Sequence, residues 1–162
     1  MNKHFLLLGG PLSFLAYLVY LFSDLALFEH GYTFLALLTV LFACVYLRAH
    51  VYRYQMVALW VFALMSLINY LGWGLFGNAQ DEFAAFVYLL TQMMAVICCV
   101  IAYVLAIMGL AFKDGDKVLG LSGILCLLLL IAAVVFPSWP EHLHQALFVG
   151  IWGAYSYVKF KD

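Results

Sequence analysis

The chain has 162 residues, of which 69% are hydrophobic, 18% aromatic and only 9% charged, with a net charge of −1 and mean hydropathy +1.10. Soluble domains carry about 25% charged and about 45–50% apolar residues, and a globule this small has too little interior to hide such an excess. A water-soluble enzyme, a disordered linker and a nucleic-acid binder are excluded together, the last also because a near-neutral chain has no general attraction for polyanions, so the solvent is expected to be a lipid bilayer.

Bilayer hydrocarbon is roughly 30 Å thick and takes about 20 helical residues to cross. No strand alternation supports a β-barrel, and backbone polar groups in lipid must be paired within helices. The expected fold is therefore all-α: one transmembrane domain over residues 1–162, with six spans in one bundle. The first span, about 5–28, follows Met1-Asn2-Lys3-His4. It lacks a small-x-small cleavage site, so it reads as an uncleaved helix rather than a signal peptide. Pro11 suits a first helical turn, and Gly31 suits a left-handed C-terminal cap. The second span covers about 32–48 and the third 54–76. The fourth, 83–112, is longer than a crossing needs and should tilt or project. The fifth covers 118–136 and the sixth 140–158. Lys113-Asp114-Gly115-Asp116-Lys117 reads as a tight turn between the fourth and fifth spans.

The basic residues are sorted. Lys3, Arg48, Arg53, Lys113, Lys117, Lys159 and Lys161 all fall on one side of a six-span chain. Glu29, Asp81, Glu82 and Glu141 fall on the other. By the positive-inside rule both termini are expected in the cytoplasm, with a bacterial inner membrane as the default location.

Helices in lipid associate through close packing and hydrogen bonds rather than through hydrophobicity. Cys98, Ala102 and Ala106 form one small-residue row, and Ala146, Gly150 and Ala154 form another. Each is expected to seat a helix of the same chain. A protein partner or a second copy of the chain is the alternative. Cys44, Cys98, Cys99 and Cys126 lie in apolar stretches without disulfide or metal-ligand spacing and read as small core residues.

Polar groups inside a membrane are costly, so each marks a candidate site. Asp24 is an intramembrane acid if the first helix runs to Phe28, and a loop residue if that helix stops at Phe22. Ser66, Asn69, Tyr70 and Trp73 share a helix face. Asn69 lies at the depth of Gln92 on the next span, so the two are expected to hydrogen-bond, or else to floor an outward-facing cavity. The last connection carries Ser138 and Glu141 at capping-box spacing, followed by His142, His144 and Gln145. With Glu29, His30 and Asp24 on the same side, these residues make a candidate polar cluster of Asp24, Glu29, His30, Asn69, Gln92, Glu141, His142 and His144.

No phosphate-binding loop, nucleophile elbow or H-E-x-x-H motif is present. The histidines lie near helix ends, which disfavours haem ligation at depth, and no metal or cofactor is assigned. Three functions compete. The foremost is a non-catalytic membrane subunit or accessory factor that binds other transmembrane helices or an apolar ligand. The second is a small cation- or proton-linked channel or transporter with an outward vestibule. The third is a membrane-embedded enzyme using the outer-face His/Glu site.

Overall fold

The computed structural model describes residues 8–23, 26–47, 52–77 and 81–160. Among them are six α-helices: α1 (Gly9–Ser23), α2 (Ala26–Leu47), α3 (Arg53–Phe76), α4 (Glu82–Met108), α5 (Lys117–Val135) and α6 (Leu143–Phe160). A 3-10 turn, Gly109–Ala111, extends α4. No strand occurs among the described residues. Three helical stretches, Arg53–Phe76, Glu82–Ala111 and Lys117–Val135, are long and apolar enough to cross a membrane.

Those three stretches are only 39%, 39% and 33% buried along their apolar windows. Phe83, Leu75, Val134 and Leu128 are among the large apolar side chains left outside. In water, an exposed apolar belt of this kind would drive aggregation. Against lipid it costs nothing, because the tails are as apolar as the side chains.

Each helix packs on its neighbours in sequence, and α6 closes on α1 and touches α2. The α1–α6 contact depends on missing side chains. A Cβ on Gly10 would lie 2.6 Å from the Val149 carbonyl oxygen and 2.8 Å from the Gly153 Cα, so the backbones can meet here only at glycine. The core between the helices is aromatic. Phe62 of α3, Tyr103 of α4 and Phe148 of α6 are buried together, with ring centroids 4.8–6.2 Å apart.

Two local expectations need correction. Gly31 lies inside α2 and so caps nothing; α2 already starts at Ala26, within the stretch expected for the first span. Ser138 and Glu141 do not cap α6, because that helix begins only at Leu143. Residues 136–142 instead form successive turns, including Trp139 N–H to Phe136 O at 2.9 Å. The fourth stretch, by contrast, runs over Glu82–Ala111, close to the expected 83–112, with its last turn tightened to 3-10 geometry at Gly109–Ala111. Pro11 does sit in the first turn of α1, where its missing N–H breaks no intrahelical bond.

Members of both small-residue rows pack against other helices of the chain. Cys98, Ala102 and Ala106 are buried, and a Cβ on Gly123 of α5 would stand 3.1 Å from that of Ala106. Ala146 packs in a cluster with Tyr17 of α1, and Gly150 faces Phe14 closely enough that a Cβ would come within 2.9 Å.

Candidate functional site

The polar side chains gather at two opposite ends of the helices. At one end, hereafter the basic end, Arg53, Lys113, Lys117 and Lys159 mark the helix termini. Gln55, in the first turn of α3, is wholly buried. Its Nε2 donates to the carbonyls of Asp116 at 2.8 Å and Ala106 at 3.2 Å, and its Oε1 accepts the Asp116 N–H at 2.7 Å. Asp116 is also the N-cap of α5. Its Oδ1 accepts the Val118 and Leu119 N–H groups at 2.9 and 3.0 Å, satisfying donors that the first helical turn leaves open. Its Oδ2 accepts from the Tyr155 hydroxyl and, at 3.0 Å, from Lys159 Nζ.

Burial of Asp116 opposes its ionisation. Hydrogen bonds from Tyr155, the Leu119 N–H and Lys159, together with the lysine's charge, outweigh that and hold the carboxyl below its ordinary value. The preceding turn closes through Gly115 N–H to Phe112 O at 3.1 Å. A side chain at Gly115 would run into the Gly109 carbonyl. Tyr52 and Tyr54 stack on Phe112 beside it, with centroids 4.9 and 5.7 Å away. One side chain pair, Gln55 and Asp116, thus ties α3, α4, α5 and α6 together.

At the other end the polar groups surround space. Tyr103 stands roughly 30 Å along the α4 axis from Glu82 at 1.5 Å per residue. His144, in the first turn of α6, hydrogen-bonds the Tyr103 hydroxyl through Nδ1 at 2.8 Å, and both residues are buried. The α6 helix therefore starts well below the top of α4. The Tyr17 hydroxyl hydrogen-bonds the backbone of His142, fixing the approach to that first turn.

Above the sunken start of α6 lies a cavity of about 400 Å³. Its walls are apolar, formed by Ala95 and Val96 of α4 and by Leu130, Ala133 and Val134 of α5. Its polar lining comes from Tyr88, Gln92, Glu141, His142, His144 and Gln145. On the far side of Gln92 its Nε2 donates to Asn69 Oδ1 at 3.0 Å, so the expected hydrogen bond between the third and fourth helices is formed. Asn69, with Thr33, Ser66 and Gln145, lines a second, water-sized cavity of about 20 Å³.

Of the sequence-predicted cluster, Gln92, Glu141, His142 and His144 line one cavity, and Asn69 stands behind it. Asp24 and the side chains of Glu29 and His30 lie outside the described residues. Among the described residues, no group of three or more His, Cys, Asp or Glu is placed to hold a metal ion. Tyr88 and Tyr103 were missed from sequence. Gln145 was legible as a neighbour of His144, whereas Tyr103 looked like any aromatic residue in an apolar helix. The Gln55–Asp116 tie was missed as well, although an Asp directly before an apolar helical run is a recognisable N-cap signal.

The chain was compared with known protein families, characterised proteins and solved structures, and it matches none of them.

Proposed function

We propose that the chain is a six-span, non-catalytic integral membrane protein, with both termini in the cytoplasm of a bacterial inner membrane, that binds an amphiphilic, largely apolar ligand in the cavity between α4, α5 and the start of α6. The observation that carries this reading is the cavity's construction. Its apolar walls reach the lipid-facing surface at Val96 and Val134, and its polar lining, apart from the exposed Glu141, is partly or fully buried. Apolar walls beside a polar floor suit an amphiphile, whose tail needs the former and whose head is oriented by the latter. A six-span course is supported by the sorting of the basic residues, since Arg53, Lys113, Lys117 and Lys159 share one end of the helices.

An accessory role toward other helices is the companion reading. It draws less support, because Ala106, Ala146 and Gly150 of the small-residue rows already pack against the chain's own helices. A transport reading finds its best support in Gln145, which lines both cavities, and in the Gln92–Asn69 hydrogen bond, whose two partners line one cavity each. Against it, Phe62, Tyr103 and Phe148 fill the core beyond His144. An outer-face enzyme would need Glu141 and His144 to act together, and His144 Nδ1 is already engaged by Tyr103.

The test is purification of the full chain from its native membrane in mild detergent, followed by organic extraction. One tightly held apolar molecule per chain is expected, and it should be depleted in Ala133→Leu, which fills the cavity. Ion or solute flux in liposomes without any retained molecule would overturn this reading in favour of transport. The topology has its own check. Cysteines placed at Gln80 and Ser138 should label from outside and one at Gly115 should not; external labelling at Gly115 would overturn the six-span course.

A further inference from the structure

The cavity also indicates the chemistry of the ligand's head. None of the residues lining it is Lys or Arg, and its one formally acidic residue, Glu141, is exposed at its edge. The cations of the described chain are at the far end of the helices, where Lys159 is already paired with Asp116. A phosphate-bearing head in this cavity would leave water with no counter-charge and would approach Glu141. Moving an unpaired ion into a low-dielectric site is strongly unfavourable. What the lining does offer is neutral hydrogen bonding from the Gln92 and Gln145 amides, the Tyr88 phenol and the His144 imidazole. His144 is oriented by Tyr103, and Gln92 by Asn69. Each is therefore held in place before any ligand arrives, which lowers the ordering cost of binding.

From this we infer that the cavity takes the uncharged, oxygen-bearing head of an amphiphile, with carbonyl or hydroxyl groups on an apolar tail, and discriminates against phosphate heads. A prenyl-type quinone and an acylglycerol share this chemistry. The tail leaves between α4 and α5, where Val96 and Val134 are both exposed to the lipid side. The inference rests on the ligand-binding reading above, and the experiment separates the two.

The full chain in detergent is titrated with decylubiquinone, with monoolein and with oleoyl lysophosphatidic acid, and bound molecules are counted by native mass spectrometry. One uncharged probe is expected to bind at one per chain, at least tenfold tighter than the lysophosphatidic acid. Ala133→Leu and, on the facing wall, Val96→Trp should each weaken it at least tenfold, while Leu128→Phe on the lipid face should not. Whichever uncharged probe binds identifies the source. Equal or tighter binding of lysophosphatidic acid, still lost in the cavity-filling variants, would overturn the head-group assignment and leave the ligand site standing. Saturation by none of the three, or binding indifferent to both cavity variants in folded protein, would overturn the ligand site as well.

Discussion

Two glutamines show how differently the two ends of this protein use the same chemistry. Gln55 at the basic end is fully buried, and both ends of its amide are engaged by the backbone of the α4–α5 connection. Gln92 at the other end makes one hydrogen bond, to Asn69, and otherwise faces a cavity. The first is a tie between helices with no room around it. The second borders space that the surrounding helices leave unfilled. In a bilayer, where apolar residues gain little from leaving the lipid, the saturated amide is the stabilising one, and the half-satisfied amide is available for a ligand. The tight tie and the open cavity are thereby separated along the helix axes.

The sharpest way to break that comparison is to remove the two amides in turn. Gln55→Leu leaves the Asp116 N–H and C=O without their partner in a buried setting, at about 1–3 kcal/mol for each unsatisfied group. A loss of about 3 kcal/mol is expected in reversible unfolding from mixed micelles. Gln92→Leu should cost under about 1 kcal/mol in the same assay, because only the Asn69 bond is lost. Equal losses from the two variants would show that the cavity end carries as much of the stability as the basic end.

Much of this division is visible in the sequence, and the reasons for the rest are physical. All six helices were legible, because long apolar runs interrupted by charges and glycines leave few alternatives in lipid. The Asn69–Gln92 bond was legible too, since helices of known direction put those positions at one depth. Boundaries were less so. The α6 start shifted from about 140 to Leu143 because Ser138 and Glu141, despite their spacing, lie in turns that precede the helix. His144 meets Tyr103 far along α4, and no local pattern announces that contact. Gln55 was equally opaque. A lone glutamine one turn inside a span looks like an interfacial residue until the α4–α5 turn is folded over it.

Asp116 offers the next largest effect and a test by pH. Asp116→Ala removes the α5 cap and should cost about 1–2 kcal/mol. The native carboxyl titrates below its ordinary value, so its contribution is fully present above the usual carboxylate range of about 3.9. That contribution is lost as pH falls through the lower native value. Asp116→Asn retains a good capping side chain but has no charge to lose. Unfolding measured from pH 6 down to pH 3 should therefore show a steeper acid decline in the wild type than in Asp116→Asn. The wild-type advantage over Asp116→Asn should also shrink in high salt, because Lys159 is 45% exposed and its pairing with Asp116 is screened. Parallel pH profiles for the two proteins would remove the carboxylate from the tie and leave only its capping geometry.

The smallest effect tests the cavity end directly. Asn69 and Gln92 share one hydrogen bond between α3 and α4, and such bonds in helical membrane proteins average about 0.6 kcal/mol. A double-mutant cycle with Asn69→Ala and Gln92→Ala should return a coupling of that size in ligand-free protein. If the cavity is the binding site, the bond holds Gln92 in position for the ligand, so the two substitutions should be more strongly coupled in binding than in folding. Gln92→Ala alone removes a lining group. Asn69→Ala keeps that group but frees its amide to rotate, so it should weaken binding by a smaller factor, and it should add little once Gln92 is gone. A coupling identical in folding and binding would instead mark the pair as a helix fastener and no more, which would make Gln92 a smaller counterpart of Gln55.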